Sequence, residues 1–423
     1  MIRLPRAGSS TWVVAELGFG AIARIIAFTL VAHLTSPLNL GRYVLLNAVA
    51  AVISEVGSLG LSRLGIRFVA ANRGQRSDPA LMAHVGFVAL VGGAVTALVT
   101  LAGGLLLLGS LGVGRAVALP FALWVGADAA REGLSGAQRG RSDHRRAALL
   151  GDGGRLLMFL LALAVGASSL SETGLLGVAW IAAAASLATV LLGAVVIRPQ
   201  RWRSSADEPD LIPLLEGSLG TVTTGVTSIV GRSAELWIAA VVVGAAGAGR
   251  YAAGSRAASL LALPAVALAT VTAPRLARSQ DDPDEIGRWL HRATLLATAG
   301  TVALAATIVL GRTQLLEIVL GGHRVGGAPT VLLILAAAQA LNVAAGPGGA
   351  ALIVRGHASW AARVTLATTA GGLAVGAIAG ARFGVRGLAL GVAVGIAVRC
   401  LVLSASARRR LGLPIGVLAR PAR

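Results

Sequence analysis

Arginine side chains inside apolar segments are the residues of this sequence most able to do chemistry. Arg24 and Arg232 each precede a Gly-Arg-Tyr triplet by the same distance along the chain, Gly41-Arg42-Tyr43 and Gly249-Arg250-Tyr251. A charge at the centre of a bilayer costs on the order of 3 kcal/mol on insertion scales. A repeated pair at matching depth therefore predicts a duplicated membrane unit with a cationic interior.

The surroundings of the arginines rank them as ligands for an anion. Arg24 and Arg256 have no acidic residue three or four positions away on their own helices, whereas Arg232 has Glu235 on the same helix face. Glu235 can therefore neutralise Arg232. For Arg399, a role in helix packing and a role as a ligand in the lumen are equally compatible with the sequence. A guanidinium group forms bidentate bonds to phosphate oxygens and stays charged when partly desolvated. We predict an anion site in the lumen around Arg24 and Arg256.

Several other polar residues also fall inside apolar segments. Glu55 and Asp128 are candidate counter-ions in the absence of substrate, candidate proton or cation sites, or structural partners. Asp152 and Arg155 have the spacing of a structural pair on one helix. Trp124 precedes Asp128 by one helical turn and either stacks on a sugar ring or packs in the interior.

The composition predicts a polytopic α-helical membrane protein. Of the 423 residues, 56% are hydrophobic and only 13% are charged, and mean hydropathy is +0.79. Runs of about 20 apolar residues recur, which is the length that crosses a bilayer, and they lack the period-two alternation of a β-barrel. We predict twelve spans, near 12–34, 43–66, 81–108, 116–136, 148–167, 174–197, 215–243, 250–273, 290–311, 327–350, 360–380 and 385–407.

The net charge of +19 has a topological rather than a nucleic-acid origin. Every basic residue apart from histidine is an arginine, and the arginines concentrate in alternate loops between the apolar runs. By the positive-inside rule this bias places both termini in the cytoplasm. The same basic loops would meet the anionic headgroups of membrane lipids, and no nucleic-acid partner is expected.

The chain divides into two similar halves. Its longest polar break, 198–210, separates six predicted spans from six, giving halves 1–205 and 206–423. The stretch Gly174-Leu-Leu-Gly-Val-Ala resembles Gly384-Val-Arg-Gly-Leu-Ala near the end of each half. Halves with an even number of spans share one orientation, so they would be related by a pseudo-two-fold axis along the membrane normal. Substrate sites in such transporters lie between the halves, near the midplane.

The sequence offers little for catalysis or cofactor binding. Cys400 is the single cysteine, and the six histidines show no metal-ligand spacing. There is no Walker A sequence and no nucleophile elbow, so no metal, cofactor or enzymatic activity is predicted. A membrane glycan ligase or polymerase would need a large outside loop with acids or histidines, and the longest outside loop, 311–326, has only Glu317 and His323.

Three stretches give the chain its family resemblance. They contain, in order, Pro37 with Gly41-Arg42-Tyr43, Gly57 to Leu61 and Arg67; then Gly249 to Ala252 with Arg256 and Pro274-Arg275-Leu276; then Gly346-Pro347, Arg355-Gly356 and Arg382 to Gly387. With these motifs the chain resembles the multidrug/oligosaccharidyl-lipid/polysaccharide (MOP) flippase superfamily. Twelve spans match its Wzx-type polysaccharide flippases better than its fourteen-span lipid II flippases.

The resemblance implies a fold and a function. The fold would be MATE-like, with a V-shaped central cavity. The function would be translocation of undecaprenyl-pyrophosphate-linked oligosaccharide across the bacterial plasma membrane for polysaccharide biosynthesis, possible partners being a polysaccharide polymerase and glycosyltransferases. Arg24 and Arg256 would then bind the pyrophosphate, with Arg232 and Arg399 as secondary ligands. The main alternative is a MATE-like, ion-coupled exporter of cationic drugs, which would need an acidic and aromatic lumen.

Overall fold

The computed structural model describes residues 9–61, 78–109, 113–140, 144–197, 212–266, 268, 272, 283–320, 326–413 and 415–417. These residues are helical almost throughout and contain no strand. The predicted all-α architecture is therefore confirmed for this part of the chain.

The described residues of the first part of the chain form six helices and one 3-10 turn. They are α1 (Ser9–Leu34), α2 (Pro37–Gly57), α3 (Asp78–Leu107), the turn Arg115–Val117, α4 (Ala118–Gly140), α5 (His144–Leu150) and α6 (Asp152–Ile197). Local sequence explains where α2 begins: the Ser36 hydroxyl accepts a hydrogen bond from the Asn39 N–H, and Pro37 occupies the first turn. A proline there loses no helical hydrogen bond.

The remainder forms seven helices and one 3-10 turn in the described residues. They are α7 (Ile212–Ser259), the turn Leu260–Ala262, α8 (Pro283–Leu310), α9 (Arg312–Val319), α10 (Ala328–Ala344), α11 (Gly348–Val354), α12 (Ala358–Phe383) and α13 (Val385–Leu411).

Two of these helices contain a sharp break at a glycine. Gly174 (φ 53°, ψ −125°) interrupts α6, and Gly244 (φ 73°, ψ 171°) interrupts α7. Only glycine adopts such positive φ values readily, so each break separates two helical segments. Gly384, which the sequence repeat aligns with Gly174, has a similar conformation (φ 63°, ψ −146°) between α12 and α13. The internal repeat is thus visible in the backbone as well as in the sequence.

Every one of the twelve predicted spans overlaps a described helix once these breaks are counted as helix ends. By length and apolarity alone, seven helices in the described residues can cross a membrane, and the bent pair α10–α11 makes an eighth. The bend of 46° occurs at Gly346-Pro347, the Gly-Pro of the family motif. Helix α4 has too many charges to qualify, because Asp128, Arg131 and Glu132 lie in its middle.

The chain forms two compact units, Met1–Ser233 and Ala234–Arg423. The predicted boundary at 205/206 lies outside the described residues, so its position stays a prediction. In the first unit an apolar core gathers residues of α2 to α6, among them Leu61, Val85, Leu134 and Leu150. In the second, a core forms where α8, α11, α12 and α13 meet.

The chain end closes the second core. Gly412 (φ 65°) ends α13 in a left-handed conformation, and Ile415 is then fully buried. The Val417 N–H donates to the Ala344 carbonyl at 2.9 Å, and the Ser404 hydroxyl donates to the Ala345 carbonyl at 2.7 Å. Both acceptors lie at the end of α10, where the bend leaves carbonyls without helical partners.

Helices α12 and α13 approach each other along two glycine stripes. Gly372, Gly376 and Gly380 on α12 are spaced one turn apart, as are Gly387, Gly391 and Gly395 on α13. A Cβ built on Gly372 would lie 2.7 Å from the Gly395 Cα, and one built on Gly391 would overlap the backbone of Gly376. Small residues at this spacing allow membrane helices to pack backbone against backbone.

We therefore expect Gly391→Ala to lower stability, because the added methyl group forces the two backbones apart. Overpacking of this kind costs roughly 1–3 kcal/mol. Gly371→Ala is the matched control, since a Cβ at Gly371 meets nothing within 4 Å and alanine favours the helix. Thermal unfolding in detergent should show a lower midpoint for Gly391→Ala only; equal midpoints in the two variants would contradict the glycine contact.

Candidate functional site

The polar interior of the first unit is centred on α4. This helix presents Trp124, Asp128 and Arg131 at spacings of four and three residues, so the three side chains share one face. The Asp128 carboxyl and the Arg131 guanidinium form an ion pair at 3.2 Å, with side chains 9% and 3% exposed. Charges this deeply buried require partners on every side, and α6 supplies them.

Asp128 accepts four hydrogen bonds. The donors are Trp124 Nε1 at 3.1 Å, Arg131 Nε at 3.2 Å, Arg155 Nη1 at 3.0 Å and Ser186 Oγ at 3.0 Å. They come from α4 and from both segments of α6, so one carboxylate joins three helical segments. Four donors occupy the lone pairs of both carboxylate oxygens.

Arg131 is a second buried junction. Arg131 is 2% exposed. Its Nε donates to Asp128, its Nη1 donates to the Leu150 carbonyl at 3.1 Å, and its Nη2 donates to Asp152 at 3.2 Å. Glu132 lies farther away, at 3.7 Å from Nη2. One guanidinium thus holds two carboxylates and the chain segment between α5 and α6, as the planar fork of arginine permits.

The network reaches the surface through Asp152 and Arg24. Asp152 Oδ2 accepts from Arg24 Nη2 at 3.0 Å, while Oδ1 accepts from Arg131. Both side chains of the Arg24–Asp152 pair are 51% exposed. Helix α1 therefore brings a half-exposed cation, predicted as an anion ligand, to the open end of an otherwise buried ion chain.

Asp152 and Arg155, the pair expected from the sequence, lie one turn apart on α6 and interact electrostatically. Their hydrogen bonds go to other residues, since Arg155 donates to Asp128, and Asp152 accepts from Arg24 and Arg131. Helix α4 thus supplies a hydrogen-bond partner to each member of the pair. Sequence reasoning also missed Arg131 itself; its position three residues after Asp128 in an apolar segment was the available signal.

Trp124 is enclosed in this structure. The residue is 1% exposed, its ring stacks on Tyr43 with centroids 6.2 Å apart, and Phe121 packs edge-on at 5.9 Å. Its indole N–H is bound to Asp128. These contacts correspond to the packing alternative. The sugar-stacking role stays a prediction, and it would require the ring to become uncovered in another conformation.

Glu55 and Asp128 were predicted as possible counter-ions of the lumenal arginines or as coupling residues. The structure makes Asp152 the carboxylate at Arg24, and gives Asp128 to Arg131 and Arg155. Glu55 lies buried near the end of α2, 4% exposed. The coupling roles of Glu55 and Asp128 remain predictions.

In the second unit, Glu235 forms the main polar contact of α7. Its carboxylate accepts from the Tyr251 hydroxyl at 3.0 Å and from the Ser255 hydroxyl at 3.1 Å, both across the break at Gly244. Arg256 follows directly and lies within electrostatic range of Glu235. Tyr251 and its repeat counterpart Tyr43 both pack within their own units.

The secondary arginines differ in what the structure describes. Arg232 belongs to α7, but its side chain lies outside the described part, so its pairing with Glu235 stays a prediction. Arg399 is half-buried in α13 and makes no hydrogen bond or ion pair within the described residues. In the same ranges no three His, Cys, Asp or Glu side chains converge in a way that could hold a metal ion.

No family model matches the chain, and no curated protein matches it either. Solved structures do match. An inward-facing multidrug-resistance MATE transporter of the MOP superfamily aligns with a TM-score of 0.75 at 17% identity, covering 93% of this chain and 94% of that chain. The fold is that of the MOP-superfamily transporters.

Further matches agree. The outward-facing conformation of a MATE transporter of the same superfamily gives a TM-score of 0.65 at 17% identity, over 96% of this chain and 95% of that one. A MOP-superfamily transporter from Pyrococcus furiosus Vc1, whose binding pocket is described as having reversed polarity that suggests a different function, gives 0.65 at 16% identity, with coverage of 96% and 95%. At these identities the likeness shows the fold.

Because Asp128 holds the network together, we expect Asp128→Asn to destabilise the protein strongly. The amide cannot neutralise Arg131 and Arg155, and breaking a buried ion pair in this way costs roughly 3–5 kcal/mol. Glu132→Gln is the control: it removes a 25%-exposed carboxylate 3.7 Å from the same arginine and should cost at most about 1 kcal/mol. Denaturant or thermal unfolding in detergent measures both; comparable losses would show that Asp128 has no special role.

Proposed function

We propose that this protein flips undecaprenyl-pyrophosphate-linked oligosaccharide from the inner to the outer leaflet of the bacterial plasma membrane. The observation that carries the proposal is the Arg24–Asp152 pair, a half-exposed guanidinium on an apolar helix whose partner is an equally exposed carboxylate. A cation kept accessible within a membrane fold suits a mobile anionic substrate. Fold membership supports transport, and the charge of the site supports an anion.

The proposed ligands of the pyrophosphate are the four arginines named from the sequence. Arg24 and Arg256 contact the pyrophosphate, and Arg232 and Arg399 are secondary ligands. Diphosphate oxygens accept paired N–H donors from guanidinium groups, and arginine stays protonated in a partly dry site. Arg399 has no ion pair among the residues that the structure describes, which is compatible with this role because an arginine within a span needs oxygen ligands.

The substrate sets the physical requirement for transport. A sugar chain and a diphosphate lose their hydrogen bonds in hydrocarbon, so they need a polar route while the lipid tail stays in the bilayer. Alternating access, in which parts of a transporter move to open the site to one side and then the other, provides that route. Outward movement of an anion is favoured by an inside-negative potential, at about 2.3 kcal/mol per charge per 100 mV. Coupling residues, where the cycle needs them, are Glu55, Asp128 and Glu235.

A MATE-like multidrug exporter is the second candidate, and the fold itself favours considering it. Cationic drugs need an acidic and aromatic site, yet aromatic residues make up 4% of this chain. In the first unit, Asp128 is saturated by four donors, which leaves it poorly suited to bind a further cation. These features support the proposed flippase over the multidrug exporter.

The proposal includes a cellular setting. Both termini lie in the cytoplasm, the membrane is the bacterial plasma membrane, and the flipped glycan passes to a polysaccharide polymerase after assembly by glycosyltransferases. The first test is deletion of the gene: inner-leaflet undecaprenyl-pyrophosphate glycan should accumulate and surface polymer should be lost. Unchanged lipid-linked glycan with new sensitivity to cationic dyes would favour the exporter.

In that deletion strain, plasmid-borne Arg24→Ala and Arg256→Ala should fail to restore surface polymer, because each removes a proposed diphosphate ligand. Losing one guanidinium–phosphate contact typically costs roughly 1.5–3 kcal/mol, or about tenfold to a hundredfold in affinity. Arg382→Ala, at an exposed helix end, is the matched control and should restore export fully. Membrane levels of each variant are checked by immunoblot, and normal export by both site variants would rule out the proposed anion site.

A further inference from the structure

The carboxylate of Asp152 is shared between two arginines that differ greatly in environment. Oδ1 bonds to Arg131, whose side chain is 3% exposed, and Oδ2 bonds to Arg24, whose side chain is 51% exposed. Arg131 is fixed by further bonds to Asp128 and to the Leu150 carbonyl. Arg24 makes no hydrogen bond other than that to Asp152 within the described residues.

This asymmetry decides which bond can be given up. Arg131 and Arg155 together provide ionic partners for Asp128 and Asp152, so the buried part of the network stays paired when Arg24 is removed from it. Both side chains of the Arg24–Asp152 pair are half-exposed, and exposed ion pairs contribute little stability. An incoming anion could therefore replace Asp152 at Arg24 without leaving a buried charge unpaired.

We propose that Asp152 is the resident counter-ion of Arg24, positioned by Arg131, and that the anionic headgroup of the substrate binds Arg24 by replacing it. The inference rests on the proposed function and refines it, because it names the group with which the substrate competes. It replaces Glu55 and Asp128, the counter-ions that the sequence suggested for Arg24.

The competition gives Asp152 a role in specificity. The carboxylate contacts Arg24 through a single oxygen, Oδ2. A diphosphate has more oxygens and more negative charge, so it can form the bidentate contact that Asp152 does not make. A neutral lipid or a cationic amphiphile cannot displace a carboxylate from a guanidinium. The counter-ion thus excludes uncharged and cationic ligands from Arg24 and admits polyanionic headgroups.

The test measures binding of farnesyl diphosphate, a soluble diphosphate lipid, by calorimetry with the full chain in phosphatidylcholine nanodiscs. Asp152→Asn removes the competing charge and should bind the probe roughly threefold to fivefold more tightly, the range expected for an exposed ion pair. Glu132→Gln is the matched control, because Glu132 contacts Arg131 but not Arg24, and should leave affinity unchanged.

The outcomes distinguish the proposed anion site at Arg24 from the proposed counter-ion role of Asp152. If Arg24→Ala binds the probe as tightly as the wild type, or the wild type does not bind it, the proposed anion site fails. If binding requires Arg24 but Asp152→Asn binds equally or more weakly, the anion site stands and the counter-ion is overturned. Tighter binding by Asp152→Asn, and not by Glu132→Gln, supports the counter-ion.

A second measurement tests the placement of Asp152 without any substrate. Cys400 is the single cysteine, so Cys400→Ser gives a thiol-free background. In that background we measure the rates at which Arg24→Cys, in detergent, reacts with trimethylammonium-ethyl methanethiosulfonate and with the sulfonatoethyl reagent. The ratio of the two rates should exceed that of a small free thiol, because the Asp152 carboxylate attracts the cationic reagent. Adding Asp152→Asn should lower that ratio, and adding Glu132→Gln should not. A ratio no higher than that of the free thiol beside an intact Asp152 would overturn the inference even if Asp152→Asn folds poorly.

Discussion

The buried carboxylate of Asp128 is the interaction on which the first unit depends. A carboxylate among apolar helices is tolerated only when its lone pairs are bonded and its charge is opposed. Four donors from α4 and from both segments of α6 meet that requirement. The same requirement fixes the rotation of α4, because Trp124, Asp128 and Arg131 must all face inward at once. The charged side chains of α4 thus form hydrogen bonds that connect it to both segments of α6.

In the second unit, close packing between glycine backbones holds two of the helices together. Its helices α12 and α13 meet through glycine backbones rather than through charge, and the bend at Gly346-Pro347 is completed by Ser404 and the returning chain end. In lipid there is little hydrophobic gain from joining two apolar helices, so close backbone packing and satisfied carbonyls provide the attraction. Glycine contacts also occur in the first unit, where a Cβ built on Gly93 of α3 would lie 2.6 Å from the Gly126 carbonyl oxygen of α4. The first unit therefore adds a buried ion network to packing of the same kind, and the repeat positions Gly174 and Gly384 share a backbone conformation.

The helical architecture could be predicted from the sequence because the residues of a single segment determine whether it forms an apolar helix. A run of about twenty apolar residues is recognisable within one segment, and the helices appear where those runs lie. The ionic partners were not predictable in the same way. Whether Arg155 bonds to Asp152 on its own helix or to Asp128 on another depends on how α4 and α6 rotate against each other. Arg131 has Asp128 three residues before it on the same helix, but nothing in its own segment reveals that Asp152 of α6 also bonds to it.

The position of Arg24 within this network gives the strongest reason to expect an anionic substrate. Had Arg24 been buried like Arg131, with every N–H bonded to protein, it would be a structural cation. It is instead the terminal member of the chain, half-exposed, and tied by one bond to a carboxylate that has another anchor. The binding pocket of a MOP-superfamily transporter from Pyrococcus furiosus has a reversed polarity that suggests a different function, so a shared fold does not specify the charge of a ligand. Among the described residues of this network, Arg24 can change partners without leaving a buried charge unpaired, and the proposed anionic substrate depends on that property.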